Sequence, residues 1–142
     1  MDQDKIDFTL CECDLNVLTT FTENQLEKLY QVNITRLPAI CLTMVRAEDS
    51  VELQEFYLGE ALTTECEVEI EGQTGFGICL GDEPDRAYCL AVFDAVLKIN
   101  NGLPDIVSQF LDEQYQQVML QEKRDFNQIL STKVDFKLMD QL

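Results

Sequence analysis

The sequence predicts an α+β fold: a central antiparallel sheet of about four strands with N-terminal helices, a buried middle helix and a long C-terminal helix plus an extended arm. Three observations lead to this prediction. Apolar and acidic residues alternate over 64–71, as in a half-buried strand. The segment 84–100 is apolar on nearly every side, as in a helix covered by other elements. Residues 103–130 keep apolar side chains three and four apart, which indicates another helix.

The whole chain, residues 1–142, is expected to form a single domain. Its length and its 46% hydrophobic residues are enough to build a core without metals or disulfides. No repeat, low-complexity tract or interdomain linker divides the sequence.

The chain is strongly acidic, with 10 basic and 27 acidic residues and a net charge of −17. Such a charge repels nucleic acids and anionic lipids and attracts basic proteins or cations. Alternatively, the acidity serves only to keep the protein in solution. The acidic N-terminus and the lack of a run of eighteen apolar residues indicate neither export nor membrane insertion. We therefore expect a cytoplasmic protein that binds no nucleic acid and no membrane.

Six cysteines and no histidine restrict the possible chemistry. Only Cys11 and Cys13 are close in sequence, which makes a structural zinc site improbable. We expect most of the thiols to be small buried hydrophobes in a reducing compartment. The absence of histidine removes the usual general base and the usual activator of a nucleophile. No catalytic residue, metal or cofactor is predicted.

The N-terminal half is expected to contain two helices and two strands. The second helix would begin at a capping box formed by Thr22, Glu23, Asn24 and Gln25. Gly59 and Glu60 would separate the second strand from the next one. The predicted ranges are 4–18 and 23–32 for the helices, and 39–45 and 53–58 for the strands.

A hairpin is predicted to join strand 64–71 to strand 75–80. Cys66, Val68 and Ile70 would face the core. Gly75 and Gly77 leave one face of the second strand without side chains, which suits the close approach of another backbone or side chain. The opposite face of the first strand would carry a row of carboxylates from Glu65, Glu67, Glu69 and Glu71. This row is either a solvated face or a site for a basic protein, because carboxylates about 7 Å apart suit a single cation poorly.

Two further helices are expected after the hairpin. Pro84 is suited to the first turn of the helix over 84–100, and Asp94 within that helix needs a hydrogen-bond partner if it is buried. The helix over 103–130 would extend about 40 Å, longer than a domain of this size needs for itself. The alternating residues 132–139 indicate an edge strand or an extended arm that reaches a neighbour.

Several segments resemble the PhnG family of carbon–phosphorus lyase subunits, in the same order and spacing over roughly residues 36–139. They are Phe56 to Thr64, Gly75-Phe76-Gly77 with Leu80-Gly81, the alanine-rich stretch Ala87 to Leu97, and Thr132 to Met139. The residues that match the family motif are Gly59, Glu60, Thr63, Gly75, Gly81 and Asp94. The chain departs from the family at Glu65 and Asp82, where arginine is usual, and at Phe76, where histidine is common. These departures favour transfer of the fold and the assembly rather than of a ligand contact.

The resemblance implies a non-catalytic accessory subunit that works with PhnI-like, PhnH-like and PhnJ-like proteins in a hetero-oligomer. That system couples a phosphonate to the ribose of ATP with release of adenine, and the nucleosidase-type activity is ascribed to PhnI. The residues expected to bind the partner are Leu90, Phe93, Met119, Phe126, Ile129, Val134 and Phe136.

Two other functions remain open at this point. One is a stand-alone acidic protein-binding module that uses the carboxylate row. The other is a divergent enzyme that uses Asp94, Glu60 or Cys79.

Overall fold

The computed structural model describes the backbone of residues 1–140 and the side chains of residues 1–132. The contacts within the chain define two compact units. One contains α1 and α5, and the other contains every element from Asp14 to Pro104. The single domain over residues 1–142 stays a prediction. The elements are α1 (Gln3–Glu12), α2 (Leu15–Phe21), a π-helical segment (Thr22–Leu26), α3 (Glu27–Leu29), β1 (Asn33–Glu48), β2 (Glu55–Ile70), β3 (Gln73–Leu80), α4 (Pro84–Asn100) and α5 (Asp105–Asp140).

The described residues form an antiparallel sheet of three strands in the order β1-β2-β3. This confirms the α+β class, but the expectation of about four strands was wrong. The predicted strands 53–58 and 64–71 are parts of the single strand β2, because Gly59 and Glu60 do not interrupt the pairing. They lie opposite Val45 and Met44 of β1, and a register shift next to Val45 accommodates the irregularity. A glycine in a strand pattern often marks such a bulge rather than a strand end.

One face of the sheet packs against α4, as the two-residue period predicted. Cys66, Val68 and Ile70 are buried. The prediction for the bare face of β3 is also confirmed: a Cβ at Gly75 would lie 2.7 Å from the Ala95 Cβ, and it would meet the backbone oxygen of Ala91 more closely still. Gly75 and Gly77 thus allow α4 to lie directly on β3, and α4 is the buried middle helix that the sequence predicted.

The N-terminal helices differ from the prediction in where they begin and end. Asp14 divides the expected helix 4–18, because its side chain accepts a hydrogen bond of 3.1 Å from the Val17 N–H and so caps α2. The predicted capping box at Thr22 was wrong. The Thr22 hydroxyl donates back to the Leu18 carbonyl oxygen at 2.9 Å, and the helical backbone passes through Thr22 and ends at Leu29.

The other unit consists of α1 packed on the first part of α5. In α1, Ile6 and Leu10 are buried, and the ammonium of Lys5 lies 5.3 Å from the centroid of the Tyr115 ring. The prediction of an edge strand or extended arm over 132–139 was wrong, because α5 remains helical to Asp140. No described strand lies beside this segment, and without such a neighbour a helix is the structure that satisfies its backbone hydrogen bonds internally.

Candidate functional site

The second half of α5 exposes large apolar side chains. Val107, Phe110, Leu111 and Val118 are buried, whereas every residue from 119 to 132 is exposed. Phe126 is 59% and Ile129 is 64% exposed. At 100° per residue, Met119, Phe126 and Leu130 lie within about 40° of one another around the helix, with Ile129 beside them. This group of four residues is called the α5 apolar face below.

The α5 apolar face lies beside a surface depression. Met119, Leu120, Phe126 and Ile129 border this depression together with Tyr115 and several polar residues of the same helix. All of its lining residues come from α5, so it is part of an open helix surface. A helix of 36 residues is about 54 Å long. An apolar stripe of this kind is typical of a helix that packs against another chain.

The seven residues predicted to bind a partner fall into three groups. Met119, Phe126 and Ile129 are exposed on α5. The side chains of Val134 and Phe136 lie outside the described residues. Leu90 and Phe93 do not fit the prediction: both are buried in α4.

The burial of Phe93 explains why the helix sequence suggested an interface. Its ring lies 5.8 Å from that of Phe21, centroid to centroid. One side of α4 therefore meets the sheet, and another meets the chain's own N-terminal helices. These contacts cover the apolar sides that the sequence had assigned to a partner, so Leu90 and Phe93 are core residues.

Most of the family-motif residues are involved in hydrogen bonds or close packing within the fold. The Thr63 hydroxyl lies 2.8 Å from that of Thr43 on β1. Asp94 accepts a hydrogen bond of 2.9 Å from the Phe76 N–H and pairs with the Lys98 ammonium at 3.1 Å, which confirms that it has a polar partner. Gly81 has a φ of +82° at the end of β3, a conformation that glycine adopts without strain.

Thr64 is a structural residue whose role the sequence analysis missed. Its hydroxyl donates to the Gly81 carbonyl oxygen at 2.6 Å and accepts from the Glu83 N–H at 3.0 Å. These two bonds fix the turn between β3 and α4. The available signal was a threonine at an inward position of the two-residue pattern, where an apolar residue is usual and a hydroxyl needs a partner.

The three residues considered for chemistry lie on separate elements. Glu60 is opposite Met44 on the exposed part of β2, whereas Cys79 is buried opposite Thr64. Asp94 lies on α4, where its carboxylate binds the β3 backbone. Among the residues that the structure describes, no three or more histidine, cysteine, aspartate or glutamate side chains form a group that could hold a metal ion.

Two of the cysteine thiols have a raised pKa. Burial raises the pKa of the Cys66 thiol above its ordinary value, and so does partial burial at Cys41, where the Glu65 carboxylate adds to the effect. A raised pKa keeps a thiol protonated and a weak nucleophile.

The predicted carboxylate row is shorter than expected. Glu65, Glu67 and Glu69 lie on the face of β2 opposite the core, but Glu71 has a φ of +50° in the turn after the strand. Arg36 approaches the row and lies 3.6 Å from the Glu65 carboxylate.

The described residues include no helix that is both long and apolar enough to cross a membrane. They define a small α+β protein that exposes large apolar side chains on the second half of α5. Comparison with known families gives the more specific assignment. The model of the family described as phosphonate metabolism protein PhnG matches residues 5–141, and the chain belongs to this family. Membership implies involvement in phosphonate metabolism. A search of curated proteins found no match.

Proposed function

We propose that this chain is a non-catalytic subunit of a cytoplasmic carbon–phosphorus lyase assembly, and that the α5 apolar face binds a PhnI-like subunit. Through this subunit the chain joins PhnH-like and PhnJ-like proteins. Its presence is required for the coupling of a phosphonate to the ribose of ATP with release of adenine. Family membership supports the pathway, and the exposed face of α5 supports the mode of action.

The observation that carries the proposal is the exposure of residues 119–132. Burial of a large apolar side chain in a contact contributes about 1.5–3 kcal/mol, and four such residues lie on one side of α5. On the helix alone these side chains stay in contact with water, so this stabilisation is not obtained. Against a second chain they would form the apolar centre of an interface with polar residues at its rim.

The proposal also assigns the reaction to the partner. Asp94, Glu60 and Cys79 occupy separate places in the fold, and Asp94 is engaged with the backbone of β3. A nucleophile and its base need to lie within hydrogen-bond reach of each other. We therefore expect the chain to act by positioning or stabilising its partner.

Measurement of adenine release tests this function. A PhnI-like protein is assayed with ATP and a phosphonate, with and without the purified chain, and the chain is assayed by itself. We expect phosphonate-dependent coupling only when both are present, and no turnover by the chain alone. Turnover by the isolated chain, or full coupling without it, would contradict the proposed role.

A stand-alone acidic binding module is the second candidate, because Glu65, Glu67 and Glu69 lie beside the exposed side chains of Phe76 and Ile78. This function predicts that the chain binds a basic protein as a stable monomer with no need of α5. Deletion of residues 119–142 separates the two candidates. The module would keep its binding activity, whereas the accessory subunit would lose its partner.

A further inference from the structure

β2 is longer than the strand beside it, which leaves part of one edge uncovered. β2 covers Glu55–Ile70, but β3 pairs with it only from Thr63 to Ile70. The last hydrogen bond on this edge runs from the Gly81 N–H to the Leu62 carbonyl oxygen at 2.8 Å. Residues 55–61 pair with β1 on their other side. No described strand lies beside them on the β3 side.

The backbone groups between Gly59 and Leu62 alternate regularly in direction, because the register shift lies on the far side of Gly59. In an antiparallel sheet, successive residues direct their N–H and C=O groups to alternate sides of the strand. Because the Leu62 carbonyl points toward the β3 side, the N–H and C=O of Glu60 point the same way, past the end of β3. Phe76 on the outer edge of β3 differs, because Asp94 caps its N–H at 2.9 Å.

The uncovered edge lacks several of the features that usually prevent strand addition, although a register shift lies between Tyr57 and Gly59. Edge strands are commonly protected by lysine, proline, a bulge or an overlying element. Residues 55–62 contain neither lysine nor proline, and Tyr57, Leu58 and Leu62 are exposed. A ribbon of two strands is also only marginally stable by itself in water, so a third strand would stabilise it.

We propose that the β2 edge over residues 55–61 binds an extended, basic segment of another protein, which adds a strand in line with β3. Seven residues offer about 23 Å of edge, enough for a strand of ordinary length. This inference concerns a different unit from the α5 apolar face and does not depend on the proposed function.

Charge identifies the chemistry of the occupant. The ribbon formed by residues 43–48 and 55–61 carries Glu48, Glu55 and Glu60. Its one basic side chain, Arg46, already lies 3.9 Å from the Glu55 carboxylate. Like charges placed opposite each other destabilise strand pairing, and opposite charges favour it. A second copy would bring the same acidic residues and a net charge of −17. A strand that bears lysine or arginine is complementary.

A synthetic peptide tests strand addition directly. The probe is a fluorescent seven-residue peptide in which lysine alternates with valine, and the control peptide has glutamate in place of lysine. Fluorescence anisotropy measures the affinity of the full chain for each peptide. We expect the chain to bind the lysine peptide, and to bind the glutamate peptide at least ten-fold more weakly. Residue-resolved amide exchange should show slower exchange at Glu60 when the lysine peptide is bound.

Two substitutions at one position separate backbone pairing from charge. Glu60→Pro removes the outward N–H, and an edge tolerates proline where the N–H does not bond to the neighbouring strand. We expect it to weaken lysine-peptide binding at least ten-fold, whereas Glu60→Gln, which keeps the N–H, should weaken it about two- to three-fold. The slower exchange in the unsubstituted chain tests the site even if Glu60→Pro disturbs the ribbon.

Several outcomes would overturn the proposal. They are no binding of the lysine peptide up to about 1 mM, equal binding by Glu60→Pro, or slower exchange only outside residues 55–61. Self-association that slows exchange at the same amides would assign the edge to a second copy and refute the proposed occupant.

Discussion

Gly75→Ala is expected to destabilise the sheet–helix core, because β3 and α4 are in contact at the backbone. The added Cβ would lie 2.7 Å from both the Cβ and the backbone nitrogen of Ala95, and closer still to the Ala91 carbonyl oxygen. Carbon atoms pack favourably at about 3.5–4.0 Å. Two of these three obstacles are backbone atoms of α4, so a side-chain rotation cannot remove the overlap and the helix itself has to move by about 1 Å.

The magnitude follows from what that movement disturbs. Ala91 and Ala95 are fully buried, and overpacking in a core costs about 1–3 kcal/mol, with larger values where the backbone has to shift. We expect a loss of about 3 kcal/mol in the free energy of unfolding, or a fall of about 10 °C in Tm for a chain of this size. Urea unfolding of the full chain, followed by circular dichroism, measures this loss.

Gly72→Ala is the matched control. A Cβ at Gly72 meets nothing within 4 Å, but the φ of +80° disfavours any other residue, at a cost of about 1 kcal/mol. We therefore expect Gly75→Ala to be about three times as costly as Gly72→Ala. Equal losses, or a smaller loss at Gly75, would refute the close contact between β3 and α4.

Two further predictions concern polar groups of the same unit. Burial and a hydrogen bond of 2.7 Å to the Glu27 carboxylate raise the pKa of Tyr88 above its ordinary value. A raised pKa favours the protonated phenol in the folded state, so its stabilising contribution is complete below about pH 10 and is lost as the pH rises further. Tyr88→Phe should therefore flatten the fall in unfolding free energy above pH 10, and an unchanged slope would contradict this assignment. Thr64→Val should cost about 2–3 kcal/mol, because it leaves the Gly81 carbonyl and the Glu83 N–H without their partner. Thr64→Ser, which keeps the hydroxyl, should lose about half as much in the same unfolding measurement, and equal losses would show that the hydroxyl is unimportant.

The core elements could be predicted because their sequence signals are local. Period-two alternation in β2 placed Cys66, Val68 and Ile70 inside, and the paired glycines of β3 indicated the close helix. Both signals depend on which side of a strand is covered, and every residue of the strand contributes to them.

Element ends were less predictable, because they depend on single hydrogen bonds. Asp14 and Thr22 are both favourable cap residues by type. In the structure Asp14 caps α2, whereas the Thr22 hydroxyl bonds back into the preceding turn. Gly59 likewise looked like a strand end, but pairing with β1 continues through it. Such choices are decided by tertiary contacts that no short window of sequence contains.

The contact of the candidate site with a partner stays a prediction, and sequence alone could not separate its residues from core residues. Apolar residues on a helix predict that the helix is covered, but not whether the cover comes from the same chain. For Phe93 it is Phe21. For Phe126 and Ile129 no described residue supplies the cover, and only the structure could distinguish the two cases. The open edge of β2 was missed because it arises from the unequal lengths of neighbouring strands.

The proposed packing of the α5 apolar face on a partner chain is tested by the affinity of the chain for a PhnI-like subunit, measured by calorimetry. Met119→Lys/Phe126→Lys places two charges on the face, and Gln121→Lys/Gln128→Lys places the same two charges on the opposite side of the helix. All four positions are exposed. We predict a loss of about 3 kcal/mol or more, at least ~100-fold in Kd, for the first pair, and less than about 0.5 kcal/mol for the second. Equal affinity for the two double variants would contradict the proposed packing.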